Sequence, residues 1–93
     1  MLKYRYNQDV IQIQETLDGE DTEFLIHILN VKPYVAGMKL VQERFEENRI
    51  HTDVLFYAYP NHEYRVIVRR DFYIDFVLEM MKHYLLQSVE WMT

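Results

Sequence analysis

The sequence predicts a two-layer α+β sandwich of ββαββα order, an antiparallel sheet with two helices packed on one face. Three observations predict it. Two pairs of alternating apolar and polar runs each close around turn residues. Each pair is followed by apolar residues at helical spacing. The composition can support a core: of 93 residues, 49% are hydrophobic and 15% aromatic, which excludes intrinsic disorder. At this length the chain reads as a single α+β domain over residues 1–93.

The first run, Val10 to Leu17, sets Ile11, Ile13 and Leu17 on one side and reads as a strand. Asp18-Gly19-Glu20-Asp21 follows as a turn in which Gly19 can take a positive φ. Glu23 to Asn30 is the expected returning strand. Leu2 to Tyr6 also alternates, so the sheet has four strands, or five if this opening segment pairs separately rather than beginning one long bent strand. Pro33 suits a helix start, because the first helical position needs no N–H. Tyr34, Met38, Val41 and Phe45 then recur at helical spacing opposite Glu43, Glu46 and Glu47, and this helix is expected to end near Asn48 or Arg49.

Asp53 to Tyr59 and Glu63 to Arg70 flank Pro60-Asn61 as a second hairpin. Asp71 is the expected N-cap of a second helix reaching about Trp91. Its apolar arc holds Tyr73, Val77, Met80, Met81, Tyr84, Leu85 and Trp91; Asp75, Glu79, Lys82, His83, Gln87 and Glu90 form its polar side. Leu86 and Val89 fall on or beside that polar side, as exposed apolar residues able to meet a partner. Sliding the sequence on itself aligns Glu23 with Glu63, Phe24 with Tyr64, Ile26 with Val66 and Ile28 with Val68, as two units with similar burial needs would.

Charge and composition exclude several classes of function. The formal charge is −5, with acidic excess at Asp18, Glu20, Asp21 and Glu23. That balance disfavours nucleic acid, whose binding rests on phosphate neutralisation. The chain has no Cys, which removes disulfides and Cys-bearing zinc sites. Gly19 and Gly37 are the only glycines, too few for a phosphate-cradling loop. No apolar run approaches the roughly 20 residues of a membrane span. The opening Met1-Leu2-Lys3-Tyr4-Arg5-Tyr6 lacks the apolar stretch of a signal peptide, so a cytoplasmic protein is expected.

The chemistry of catalysis finds little support. Ser88 is the only Ser, it falls late in the second helix, and no strand–turn–helix elbow surrounds it. No catalytic residue is assigned and no cofactor is expected. The one local metal-ligand pattern is Asp75, Glu79 and His83, stacked on one helix face, with ligand types that suit Zn, Mn or Fe. It supports an alternative reading as a metal-dependent or small-ligand-binding enzyme. A charged stripe is also the ordinary solvated side of an amphipathic helix, and Lys82 beside it would repel a cation. His51-Thr52-Asp53 is a weaker loop candidate, His62 reads as turn chemistry, and His27 as a strand residue facing away from Phe24, Ile26 and Ile28.

The second hairpin carries the more distinctive signal. Val54, Phe56, Ala58, Tyr64, Val66 and Val68 are assigned to the core, which leaves Leu55, Tyr57, Tyr59, Arg65, Ile67 and Arg69 on the opposite face. The outer face of such a sheet is ordinarily polar. Tyr offers area with little rotamer entropy and Arg offers directed hydrogen bonds, the types that dominate binding hot spots. The same set would also make a merely decorated face whose Arg stems cover the aromatics. Tyr beside Arg on a sheet suits RNA stacking too, but the glycine pattern and the charge balance argue against it. The expected function is therefore a non-catalytic protein-interaction or regulatory domain. Its expected partner is itself, as a homodimer, and/or another protein.

Overall fold

A computed structural model describes residues 2–47 and 53–92. The elements run β1 (Leu2–Arg5), β2 (Ile11–Asp18), β3 (Asp21–Ile28), α1 (Val31–Glu46), β4 (Val54–Tyr59), β5 (Glu63–Arg69), α2 (Tyr73–Lys82) and β6 (Ser88–Trp91). The α+β class stands. Four antiparallel strands form one sheet in the order β2-β3-β5-β4, and β1 pairs with β6 in a separate two-stranded sheet. Each hairpin sends its second strand to the centre and its first to an edge. The two ββα units therefore meet symmetrically along the β3–β5 seam.

Local chemistry explains the hairpins. Asp18 opposes Asp21, and Gly19 between them has φ 64°, a left-handed conformation that costs glycine no Cβ clash. In the second hairpin Pro60–His62 forms a short 3₁₀ turn in which Asn61 and His62 take positive φ, so His62 serves turn geometry as expected. Lys32 is extended ahead of Pro33, as a residue preceding proline tends to be, and the regular helix of α1 runs from Pro33 onward. Glu47 holds the C-cap position; Asn48 and Arg49 lie outside the described residues.

Alternation then builds the core. On the inner face of the sheet Phe24, Ile26, Val66 and Val68 are buried, and the helices bring Met38, Val41, Phe76, Val77 and Met80 to meet them. Phe76 is the junction. Its ring lies 4.8 Å from Phe24 and 6.1 Å from both Phe45 and Phe56. It thus touches β3, β4 and α1 at once. Burial along β4 fades toward its end, so Ala58, assigned to the core by alternation, is exposed. Leu17 on the far end of β2 is likewise exposed.

The expected course of α2 is corrected. The helix stops at Lys82 rather than near Trp91. Tyr84 takes a left-handed φ of 64°, its N–H donates to the Met81 carbonyl at 3.1 Å, and the Leu85 N–H donates to the Met80 carbonyl at 3.0 Å. This is the Schellman pattern, with tyrosine in the place glycine usually takes. The physical reason lies in Leu85-Leu86. A continued helix would turn Leu86 toward solvent, whereas breaking it buries both leucines. Ser88 accordingly lies in a strand, and Val89 pairs opposite Tyr4 and packs on the core. Tyr84 and Trp91 are exposed instead of lining a helical apolar arc. The fifth strand expected beside the main sheet is β1, which pairs with β6 instead. Asp71 is corrected too: it sits in the 3₁₀ turn Arg70–Phe72, and α2 begins at Tyr73 without a side-chain cap.

A polar clasp ties β1 to the edge of the main sheet. Glu15 stands on the helix side of β2 and accepts a hydrogen bond from the Tyr4 hydroxyl at 2.6 Å. Burial first, and this carboxylate second, push the Tyr4 hydroxyl far above the usual phenol range. Tyr73 is raised by the same two causes in the same order, and Tyr64 by burial alone.

Three outcomes are expected. Phe76→Ala should lower the unfolding free energy by about 3–5 kcal/mol in chemical denaturation, since it empties the junction. Tyr84→Gly should raise it by about 1 kcal/mol, because the left-handed position then carries no Cβ strain. The third concerns pH. The folded tyrosines hold their protons more tightly than unfolded ones, so the unfolded chain ionises first once pH passes about 10. Stability should be full below that pH and fall as pH climbs above it. Thermal melts between pH 8 and 11 check this, and Tyr4→Phe should flatten the fall.

Candidate functional site

Strand alternation and register together map the uncovered face of the main sheet. Read from β2 across to β4, one row is Thr16, Glu23, Ile67 and Leu55; the next is Gln14, Leu25, Arg65 and Tyr57; the third is Gln12, His27, Glu63 and Tyr59. At the end nearest the first hairpin turn, Asp18, Asp21 and Arg69 complete it. The face is graded. β2 contributes only polar side chains, and β4 only Leu and Tyr.

The six residues singled out from the sequence, Leu55, Tyr57, Tyr59, Arg65, Ile67 and Arg69, lie together on this face. Leu55, Tyr57 and Tyr59 are 36%, 44% and 48% exposed, and Ile67 is half-buried between its neighbours. Leu25 was not singled out, yet it is 43% exposed in the row of Arg65 and Tyr57 and extends the patch onto β3. The alternation of Glu23, Leu25 and His27 carried that signal. His27 faces away from the core as expected, between Gln12 and Glu63.

The two arginines are held within the face. Arg65 Nε donates to Glu23 Oε1 at 2.5 Å, and its guanidinium stands 5.8 Å from the Tyr57 ring centre. The hydrogen bond to Glu23, then its charge, then a hydrogen bond with Tyr59 hold the Arg65 pKa above its ordinary value. Arg69 Nη1 donates to Asp53 Oδ1 at 3.1 Å and pairs across the ladder with Asp21. Exposed ion pairs of this kind add little stability. What they do is fix long side chains in one geometry, which lowers the entropy a contact must overcome.

At the His27 end a groove of about 440 Å³ opens beside Tyr6, Gln12, Gln14, Tyr59 and Glu63. Its walls are mixed polar and aromatic.

The helix-face stripe is less assembled. His83 Nε2 lies 3.2 Å from Glu79 Oε1, and Lys82 Nζ lies 3.9 Å from the same oxygen. His83 occupies the C-cap of α2. Asp75 and Glu79 line a cavity of about 330 Å³ with Arg44, Phe45, Asp53 and Leu78. Among the described residues no three His, Cys, Asp or Glu side chains come together as a metal site would require. His51 lies outside the described residues. Among the described residues no helix is long and apolar enough to cross a membrane. Comparison with known proteins gives no match, whether to a family model, a curated protein or a solved structure.

Proposed function

We propose that the protein is a non-catalytic, cytoplasmic binding domain that self-associates through the Tyr/Arg half of its open sheet face. One observation carries this reading: Leu55, Tyr57 and Tyr59 are exposed in succession along β4, with Leu25 exposed across Arg65, on a sheet face that no helix among the described residues covers. Contiguous apolar area of this kind marks contact sites. Leu55, Tyr57, Tyr59 and Ile67 supply the area to be buried. Arg65 and Arg69, already held by Glu23 and Asp53, set the orientation.

A second copy of the chain suits this half better than an acidic or strongly basic partner. The half is nearly charge-balanced, because Arg65 is paired with Glu23 and Arg69 with Asp53, while Asp18 and Asp21 stand at its border on β2 and β3. A two-fold contact can join the aromatic halves and keep the acidic turns of two chains of charge −5 apart.

The test is absolute solution mass by light scattering after gel filtration. The wild type should show twice the chain mass of 11.5 kDa. Tyr57→Ala combined with Arg69→Ala should return the mass to that of one chain, while unfolding free energy changes by less than about 2 kcal/mol. Association at unchanged affinity in that variant would remove the face from consideration.

A further inference from the structure

We infer that the two copies join strand to strand along the free edge of β4, extending the four-stranded sheet into one antiparallel sheet of eight. The inference rests on the self-association reading and moves the seam from the middle of the open face to its β4 border, where Leu55, Tyr57 and Tyr59 meet their counterparts while Arg65, Ile67 and Arg69 stay on the open face one strand in.

β4 pairs with β5 along one side, and among the described residues no strand pairs with its other side. An edge presents unpaired N–H and C=O groups, and proteins that stay monomeric guard it with charge, proline, a bulge or shortness. β4 has none of these guards. Its sequence is Val54-Leu55-Phe56-Tyr57-Ala58-Tyr59, uncharged and free of proline. Its register with β5 is unbroken from Val54–Val68 to Tyr59–Glu63, so no bulge twists it away. The opposite edge, β2, does carry guards, in Glu15 and Asp18. One edge of the same sheet is defended and the other is not.

The backbone chemistry asks for an extended strand, and the side chains ask for an uncharged one. A second β4 meets both requirements. Antiparallel pairing about a two-fold axis at Tyr57 sets Leu55 of one copy against Tyr59 of the other on the open face. On the helix side it sets Phe56 against Ala58. Phe56 is only half-buried and Ala58 is exposed, so the large ring covers the small residue on each side of the axis. The same pairing makes the two aromatic half-faces continuous.

Ala58→Lys tests the edge apart from the face. Ala58 lies on the helix side of β4, so a face-to-face contact would ignore the change, whereas Tyr57 belongs to both surfaces. The expected result is a halved solution mass for Ala58→Lys with wild-type circular dichroism. Amide hydrogen exchange of the wild type, which needs no variant, should show protection at every β4 amide, whereas a free edge would protect only alternate ones. A wild type that keeps the mass of one chain at every concentration overturns the self-association reading and the edge pairing together. A wild-type dimer that survives Ala58→Lys, with alternate β4 amides exchanging freely, overturns the edge pairing alone. Should Ala58→Lys fail to fold, the exchange pattern of the wild type decides by itself.

Discussion

The buried ring of Phe76 is the contact on which the arrangement of layers depends. From α2 it reaches Phe24 on β3, Phe56 on β4 and Phe45 on α1. Aromatic pairs add about 0.5–1.5 kcal/mol each beyond the area they bury. More important is where they pull. Both helices are drawn to one side of the sheet, and α1 can settle there because Gly37 lies against the end of α2. A Cβ at that position would stand 3.1 Å from the His83 carbonyl oxygen. The close fit of α1 to the last turn of α2 thus depends on a missing side chain and on the Schellman stop that places that carbonyl.

Committing both helices to one face leaves the other to strand chemistry alone. Among the described residues, two helices and a short ribbon are the longer elements besides the main sheet, and the ribbon of β1 and β6 packs on the helix side through Leu2, Tyr4, Val89 and the Glu15 clasp. The side chains of the uncovered face are therefore arranged by their own cross-strand neighbours. Arg65 between Glu23 and Tyr57, and Arg69 beside Asp53, are such neighbours. They also hold the aromatic patch in one arrangement.

What the sequence revealed follows the range of the interactions involved. Both hairpins were legible because alternation and turn residues are local, and the face assignment of Leu55 through Arg69 follows from a period of two once the strands are set. The body of α1 was legible through Tyr34, Met38, Val41 and Phe45. The end of α2 was not. Its apolar spacing continues past Lys82, and the residue at the stop is tyrosine, whose type gives no warning of a left-handed turn. Nor could local pattern announce that Leu2 would sit opposite Trp91 across nearly the whole chain. At the candidate face the residue types were visible, but the pairing of Arg65 with Glu23 joins positions 42 residues apart and emerges only from the β3–β5 register. The strands announced the surface; the sheet order determined which charges are tied within it.

Sheet order also bears on how two such chains can meet. β2, with its acidic turn, stands three strand spacings from β4, about 14 Å. The Debye length at physiological ionic strength is about 8 Å, so charge on one side of a sheet this wide is largely screened from a copy approaching the other. Pairing along β4 separates the two β2 strands by seven spacings, about 34 Å, and their repulsion is negligible. Stacking two open faces would instead bring the sheets to about 10 Å, where the acidic ends stay apart only if the aromatic halves alone overlap. Chains of charge −5 can thus associate most cheaply along the strand that carries no charge. In a self-associating chain, the acidity of the first hairpin would favour that geometry from the far edge of the sheet.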